Sequence, residues 1–536
     1  MNSDEKTRDH LLDAALALLL ALLSLGLRWA FFPLIEHLDQ ESIYRVAHSM
    51  EWVHRPLRLL IKPWYGISGS GGQDGFYLLN ALMIGLFGEP VAVTRIISLV
   101  FGSASAIPCY LLCRIGFSRG VAVASTAALA VYVQHVQLSV VPMGQAGCLF
   151  FLLWSLYFLA RSFDARTRGA ARGMLAVSAV SLLLSTWFRM EADLLVLVIP
   201  VFLLARGQRR EALVFLAISS LYMLQTLVHG WLITGIPFPA AARNTLNIRT
   251  SINPEGRTVI GWQWELLPVY LFILSKYLGW PLVALAAAGS AGALIGSGRR
   301  SAAGLVSVSF LCYLAAMNVR SAMSEFPPFP RYSVLLGALA FPLAFAAVEW
   351  IARTLLRPLS QKRRVIERLA VPVILLAVVS ALGVRSIRIL ADEVPNLRYS
   401  DRARSVLQFM EQNLEPGDLV MYSLDPVDVA PGFVAKKMLA MHFDFADMAA
   451  GGQAEIGAVL SGLARELKLY HLAAVPLKGD TLEIRRVLFV VTPVKTAPIE
   501  QALSDRSSGL LKQTHTDLTI LIFNLDRPVV WEIHRR

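Results

Sequence analysis

Apolar runs long enough to cross a lipid bilayer recur along this chain of 536 residues, and they constrain its fold more than any other feature. The first covers 11–32 and has no small-residue cleavage site after it, so we expect it to remain as a helix. Ten more follow at about 91–113, 119–137, 145–160, 173–188, 192–206, 211–233, 278–297, 302–319, 332–352 and 369–390. The sequence therefore predicts a polytopic α-helical membrane protein with about eleven spans.

The composition agrees with lipid as the main solvent. Apolar residues make up 55% of the chain and charged residues only 16%, with a mean hydropathy of +0.55. A chain this apolar does not close around one water-soluble core. The four cysteines all fall inside apolar runs, which indicates packing rather than a disulfide framework or a metal knuckle. They are Cys109, Cys113, Cys148 and Cys312.

Charge is distributed unevenly between the two parts of the chain. Residues 1–390 carry 34 Lys and Arg against 19 Asp and Glu, whereas residues 391–536 carry 16 against 19. Excess positive charge beside apolar runs is typical of cytoplasmic loops and lipid headgroup contacts. No helix-turn-helix or aromatic-basic RNA motif is present, so nucleic acid is excluded as a partner.

The short Arg-rich loops predict the topology. They lie at 114–119, 161–172, 206–210, 299–300 and 353–368, and they alternate as eleven spans from a cytoplasmic N-terminus require. This parity holds if the apolar run 76–88 is an interfacial or re-entrant helix, since it is too short to span. The loops 33–75 and 234–265, and everything after 390, are then expected on the extracytoplasmic side of the membrane. We expect a multi-pass protein of the cytoplasmic (inner) membrane.

The tail, 391–536, predicts a separate soluble α/β domain on the extracytoplasmic side. Helical patterns at 405–414 and 455–467 are interleaved with strand-like segments at 418–424, 485–494 and 518–525. The tail contains no Walker loop and no GxGxxG motif, so a nucleotide site is not expected there.

The first outer loop, 33–75, holds several acidic residues close to the end of the first span. They are Glu36, Asp39, Glu41 and Glu51. Such a group is a candidate general base or metal site. A helical conformation would align four side chains on one face, which could hold a divalent metal or simply be a polar face. These are His37, Glu41, Tyr44 and His48. The Gly-rich tract 68–75 at the end of the loop indicates a flexible linker.

Charged residues interrupt apolar sequence at several predicted outer helix ends. They are Arg95, Arg189 with Glu191, Arg243 and Arg331. A charge in this position is costly unless it has a partner or faces a polar cavity. Guanidinium groups bind phosphate with two hydrogen bonds, so converging arginines would suit an anionic lipid headgroup. Snorkelling or a structural ion pair is the alternative for each one.

Five motifs occur in an order that resembles the GT-C superfamily of membrane glycosyltransferases, which use polyprenyl-phosphate-linked sugars. The mannosyl-, arabinosyl- and aminoarabinosyl-transferase types are the most similar. The motifs are LDQESIYRVA, LFGEPVAVTR, WFRMEADLL, GIPFPAAARN and PRYSVLL, and together the resemblance covers about residues 10–390. It implies a GT-C-like catalytic membrane domain at 1–390, with outer loop 33–75 and interfacial helix 76–88.

The resemblance implies transfer of a sugar from a polyprenyl phosphate to an acceptor hydroxyl on a glycan, lipid or protein, with inversion. Asp39 or Glu41 would act as the catalytic base, and the residues alone do not choose between them. The implied substrate-binding residues are Arg95, Arg189, Glu191, Arg243, Arg331 and Tyr332. No cofactor is certain, and a divalent metal stays open.

Two departures from the family pattern keep other functions open. Many relatives place Asp-Glu directly ahead of x-x-Tyr, whereas Gln40 and Glu41 stand there in this chain. The second acid that the family often carries near the start of the fourth span is absent, and Gln145 lies in that segment. A metal-dependent variant is therefore less expected. A lipid or sugar transporter or flippase, and a non-catalytic assembly subunit on the same fold, are the alternatives.

Overall fold

A computed structural model describes residues 3–34, 46, 49, 53, 74–234, 264–296, 302–323, 329–360 and 364–393, and five strands of the tail at 419–422, 439–442, 481–491, 507–515 and 518–532. The chain divides into two compact units. The first comprises Met1–Phe32, Gly69–Phe76 and Ser98–Asp392. The second comprises Pro33–Ser68, Tyr77–Ile97 and Glu393–Arg536.

The membrane part of the chain is helical wherever the structure describes regular elements. In chain order the helices are α1 (Ser3–Phe31), α2 (Asp74–Phe87), α3 (Pro90–Ala104), α4 (Ala106–Gly116), α5 (Arg119–Val131), α6 (Val133–Val140), α7 (Gln145–Phe163), α8 (Arg168–Phe188), α9 (Asp193–Ala205), α10 (Arg209–Ser219), α11 (Leu221–Thr234), α12 (Val269–Leu278), α13 (Trp280–Gly296), α14 (Ala302–Ala322), α15 (Ser333–Ser360) and α16 (Arg364–Glu393). Single-turn 3₁₀ helices lie at Phe32–Leu34, Met190–Ala192, Trp264–Leu266 and Pro330–Tyr332.

Seven helical segments in the described part of the chain are long and apolar enough to cross a membrane. They are Thr7–Leu34, Pro90–Gly116, Gln145–Phe163, Arg168–Phe188, Ala302–Ala322, Pro330–Leu356 and Leu369–Glu393. Three further pairs of helices would reach this length as bent spans, with angles of 55° between α5 and α6, 51° between α10 and α11, and 118° at the α12–α13 break. The protein is therefore a polytopic helical membrane protein.

The count of spans among the described residues reaches ten, against the eleven predicted. The difference lies at the predicted span 192–206, where α9 has only 13 residues, a length of about 20 Å. The preceding 3₁₀ turn, Met190–Ala192, separates α9 from α8. Eleven spans, and the cytoplasmic N-terminus and outer tail that depend on this odd number, stay predictions.

The helix predicted at 76–88 begins two residues earlier than the sequence suggested. It is α2, Asp74–Phe87, and its 14 residues are shorter than a span. Asp74 and Gly75, which the sequence placed in the flexible linker, are its first two residues, and Asp74 is buried. The rest of the Gly-rich tract, 68–73, lies outside the described residues.

Arg28, in the last turn of α1, is completely buried and makes hydrogen bonds on both sides of the break between α5 and α6. Its Nη1 donates to the carbonyl oxygens of Ser24 (3.1 Å) and Ala130 (3.2 Å), and its Nη2 lies 2.7 Å from His135 Nδ1. The Ala130 carbonyl belongs to the last turn of α5, where carbonyls lack partners within the helix and the dipole favours a cation. Arg28 therefore fastens α1 to this bend.

Towards the opposite end of α1, Asp13 forms ion pairs with two arginines of the first predicted cytoplasmic loop. Its Oδ1 accepts hydrogen bonds from Arg119 Nε (2.9 Å), Arg114 Nε (3.1 Å) and the hydroxyl of Tyr110 (2.8 Å). One carboxylate thus joins α1 to α4 and α5. The contact gives these arginines a structural role, besides the cytoplasmic orientation that the sequence predicts for this loop.

Helices α13 and α15 approach each other closely at Gly289. A methyl group added there would overlap the carbonyl oxygen of Leu343, which is a backbone atom and cannot move aside. Small residues at such crossings let membrane helices pack backbone to backbone. Gly292, one turn further along α13, has no atom near the place where a methyl group would lie.

The second unit contains a five-stranded mixed sheet in the tail. The strands are β1 (Leu419–Tyr422), β2 (Leu439–His442), β3 (Thr481–Val491), β4 (Ser507–His515) and β5 (Leu518–Glu532), and their order is β2-β1-β3-β5-β4. β1 pairs in parallel with β2 and β3, and β5 pairs antiparallel with β3 and β4. The segments predicted as strands correspond to β1, β3 and β5. The predicted helices 405–414 and 455–467 lie outside the described residues, so an α/β domain stays a prediction.

Candidate active site

Charged residues lie where the chain passes from α8 to α9. Arg189 is extended, with φ −161° and ψ 135°, and the turn Met190–Ala192 carries Glu191 before α9 begins at Asp193. Acidic residues at the start of a helix interact favourably with its dipole. Polar residues between two apolar helices are consistent with a helix break at a functional site.

Arg189 and Glu191 form a buried ion pair. Arg189 Nε lies 2.7 Å and 2.8 Å from the two carboxylate oxygens of Glu191, and Nη2 lies 2.6 Å from Oε1. Their side chains are only 6% and 4% exposed. The carbonyl oxygen of Arg189 faces the thiol of Cys148 in α7, which also contacts Ser185. The predicted arginine therefore has a carboxylate partner from its own turn.

Further polar side chains surround this ion pair. Asp193 interacts electrostatically with Glu191 and with Arg320, near the end of α14. Tyr270 and Tyr313 both interact with Glu191 and Arg320. The backbone N–H of Tyr270 donates to Asn318 Oδ1 at 2.9 Å, which fastens the start of α12 to α14. One hydrogen bond thus joins α12 to α14, and electrostatic interactions connect both helices with the turn between α8 and α9.

A second pair extends the group towards α2. The hydroxyl of Tyr222, in α11, donates to Asp74 Oδ2 at 2.7 Å, and Tyr222 also interacts with Asp193. Burial raises the pKa of Asp74 to about 7, against the lowering effect of the hydrogen bond from Tyr222. We call the whole group the polar cluster. Its members are Asp74, Arg189, Glu191, Asp193, Tyr222, Tyr270, Tyr313 and Arg320.

The predicted site residues fall into three groups. Arg189 and Glu191 belong to the polar cluster. Tyr332 is buried and interacts with Tyr270, while the guanidinium of Arg331 stacks on the ring of Phe329, 4.4 Å from its centre. Arg95 belongs to the other compact unit. Asp39, Glu41 and Arg243 lie outside the described residues, so their roles stay predictions.

Sequence reasoning missed several members of the polar cluster. Asp193 stands two residues after Glu191 in the same motif, Arg320 interrupts the end of an apolar run, and Asp74 closes the Gly-rich tract. Ionisable residues inside or beside a predicted span are the signal that could have found them. Tyr222 and Tyr313 give no such signal, because tyrosines are common in membrane helices.

The described residues give a limited test of the metal hypothesis. None of their His, Cys, Asp and Glu side chains form a group of three that could hold a metal ion. The four residues predicted to share a helix face lie outside the described part of the chain; they are His37, Glu41, Tyr44 and His48. Gln145, which replaces the second acid of the family pattern, is buried at the start of α7, and its amide has no hydrogen-bond partner among the described residues.

No protein-family profile and no curated protein sequence matches this chain. Solved structures do match it along almost its whole length. ArnT from Cupriavidus metallidurans bound to undecaprenyl phosphate is 13% identical, covers 96% of this chain and 98% of its own, and superposes with a TM-score of 0.59. The chain has the GT-C fold.

An archaeal GT-C protein supports the same assignment. The oligosaccharyltransferase AglB from Archaeoglobus fulgidus, in complex with an inhibitory peptide and a dolichol-phosphate, has a TM-score of 0.54 at 13% identity, over 95% of this chain and 74% of AglB. An Archaeoglobus fulgidus oligosaccharyltransferase in complex with Zn and sulfate has a TM-score of 0.55 at 15% identity, over 94% of this chain and 72% of its own. At these identities the match establishes the fold, and the resemblance stated from the sequence is confirmed at that level.

Proposed function

We propose that the protein is a glycosyltransferase that moves a sugar from a polyprenyl phosphate to an acceptor hydroxyl at the outer face of the cytoplasmic membrane. The observation that carries this proposal is the GT-C fold over 96% of the chain, shared with a protein whose structure holds undecaprenyl phosphate. The buried polar cluster supports it, because ionisable groups inside a membrane protein usually mark a functional site.

In the proposed reaction the acceptor hydroxyl attacks the anomeric carbon in line. The new bond forms between the acceptor oxygen and that carbon, and the bond from the carbon to the phosphate oxygen breaks. Asp39 or Glu41 takes the proton of the hydroxyl, and the configuration inverts. The leaving group is a lipid phosphate whose oxygens already carry negative charge, so no acid is needed to protonate it.

Arginines stabilise the charge that grows on the departing phosphate. We assign this contact to Arg243, together with Arg331 beside the polar cluster. Arg189 is a weaker candidate than the sequence suggested, because Glu191 occupies its Nε and Nη2 at 2.6 to 2.8 Å. Its contribution is to keep the end of α8 and the start of α9 in place.

The acceptor is a glycan, a lipid or a protein that reaches the membrane surface from outside. A second candidate function is a non-catalytic subunit on the same fold, which the neutral Gln145 in place of the second acid favours. Transport of the lipid-linked sugar without bond cleavage is the third reading.

Turnover by the purified protein separates these functions. The protein in nanodiscs is incubated with undecaprenyl phosphate linked to radiolabelled sugars and with candidate acceptors. The proposal expects label in the acceptor and release of undecaprenyl phosphate. Movement of intact donor between leaflets of a proteoliposome, or tight donor binding without any cleavage, would favour the transporter or the non-catalytic subunit.

A further inference from the structure

The polar cluster contains buried oxygen atoms that have no hydrogen-bond partner among the described residues. They include Asp74 Oδ1, Asp193 Oδ1 and the hydroxyl of Tyr313. Each unsatisfied buried polar group costs about 1–3 kcal/mol, so native structures rarely keep several together without a use. A polar ligand that donates hydrogen bonds to them would remove this cost.

The positions of the two carboxylates are fixed by their surroundings. Asp74 Oδ2 accepts a hydrogen bond from the hydroxyl of Tyr222 at 2.7 Å, whereas Oδ1 has no partner among the described residues. The backbone of Gly75 lies against the indole of Trp187, where a methyl group would be 3.0 Å from Cγ and Cδ2. Asp193 is the first residue of α9, and Tyr222 interacts with both acids. The Tyr222 hydroxyl is therefore hydrogen-bonded to Asp74 and interacts electrostatically with Asp193.

The chemistry of these atoms selects the kind of ligand. A carboxyl group offers acceptors and, when it is protonated, one donor, and a tyrosine hydroxyl both donates and accepts. The phosphate diester of the lipid offers acceptors only, so it cannot donate to these oxygens. A group with several hydroxyls both donates and accepts, so it can satisfy the carboxyl groups in either protonation state. The acidic side of the polar cluster thus suits a sugar, and the arginines suit the phosphate.

We propose that Asp74 and Asp193 bind hydroxyl groups of the sugar that is transferred, with Tyr313 as a further contact. This inference rests on the proposed function, since the sugar is that of the lipid-linked donor. A site built to hydrogen-bond a hydroxyl rejects analogues that lack it, because its buried groups are then left unpaired. Asp74 and Asp193 are therefore specificity-determining residues.

Donor binding tests the proposal without requiring turnover. Calorimetry in nanodiscs compares undecaprenyl phosphate with undecaprenyl phosphate linked to a panel of hexoses and pentoses. In the wild-type protein we expect at least one linked sugar to bind at least tenfold more tightly than the bare lipid phosphate. Asp74→Asn and Asp193→Asn should each reduce this gain about tenfold, because an acceptor oxygen is replaced by an amide nitrogen that cannot accept a hydrogen bond. Affinity for the bare lipid phosphate should change less than about twofold.

Two further variants complete the experiment. Tyr313→Phe removes one hydroxyl from a buried site and should also reduce the gain, whereas Asp164→Asn changes an exposed carboxylate outside the polar cluster and should not. The inference fails if no linked sugar binds more tightly than the bare lipid, or if folded Asp74 and Asp193 variants keep the full gain. If tighter binding of the linked sugar depends on Asp74 and Asp193 but no sugar is transferred, the inference stands and only the transferase function is refuted.

Discussion

Breaking the Arg189–Glu191 ion pair should destabilise the protein strongly. Glu191→Gln keeps the shape of the side chain and leaves the guanidinium of Arg189 uncompensated at a position 6% exposed. Removing one partner of a buried pair costs about 3–5 kcal/mol. Glu191 also repels Asp193, and the substitution relieves that repulsion, so we expect the lower end, about 3 kcal/mol. Removing Arg189 as well should recover part of the loss.

The free energy of unfolding, measured by SDS titration in mixed micelles, checks this magnitude. A double-mutant cycle with Glu191→Gln and Arg189→Met should give a coupling energy above about 1 kcal/mol. The matched control is the pair between Arg353 and Glu349, which has a similar distance of 2.7 Å but leaves Arg353 55% exposed. Arg353→Gln should cost less than about 1 kcal/mol. Equal losses for Glu191→Gln and Arg353→Gln would refute the reasoning from burial.

Three further predictions follow from other parts of the chain. Burial raises the pKa of Asp74 from 3.8 to about 7, so between these pH values the folded state holds a proton that the unfolded state has released. The free energy of unfolding should therefore fall by up to about 4 kcal/mol as the pH rises from about 4 to about 7. In Asp74→Asn, the midpoint of unfolding should no longer fall as the pH rises across this range. A pH dependence equal to that of the wild-type protein would contradict the burial of Asp74. Gly289→Ala should destabilise the protein by about 3 kcal/mol or more, because the new methyl group overlaps the Leu343 carbonyl. The control Gly292→Ala should be neutral or stabilising by up to about 1 kcal/mol. Equal free energies of unfolding for the two variants would contradict the close approach of α13 and α15. Arg243→Ala should weaken binding of undecaprenyl phosphate and lower kcat, because a phosphate contact acts before and during the reaction, and normal binding and turnover would refute that role.

The sequence predicted the membrane helices because hydrophobic runs are a direct physical requirement of the bilayer. It was less informative where a helix is bent or short. The breaks at Tyr132 and Ser220 fall inside continuous apolar runs, and the 13 residues of α9 merge in sequence with the preceding turn. Such breaks depend on tertiary contacts, for example the hydrogen bond from Arg28 to the last turn of α5, which residue patterns do not show.

The site was predicted in part for a similar reason. Arg189 and Glu191 could be found because both interrupt an apolar run and stand two residues apart. Asp74 lies 148 residues from its partner Tyr222, and no local pattern connects them. Burial of Asp74 was also unexpected, since glycines around it indicated a flexible linker. Long-range pairing of polar side chains depends on how the helices pack against each other, and no periodicity in a single sequence reveals it.

The central claim is that an acid of the first outer loop activates the acceptor hydroxyl. Transfer of radiolabelled sugar from undecaprenyl phosphate is measured for an Asp39→Asn, Glu41→Gln double variant, with Asp164→Asn as the matched control. We predict that turnover falls about 10²- to 10⁴-fold in the double variant with donor binding little changed, and that the control keeps its activity. Near-normal transfer by a folded double variant would contradict the mechanism.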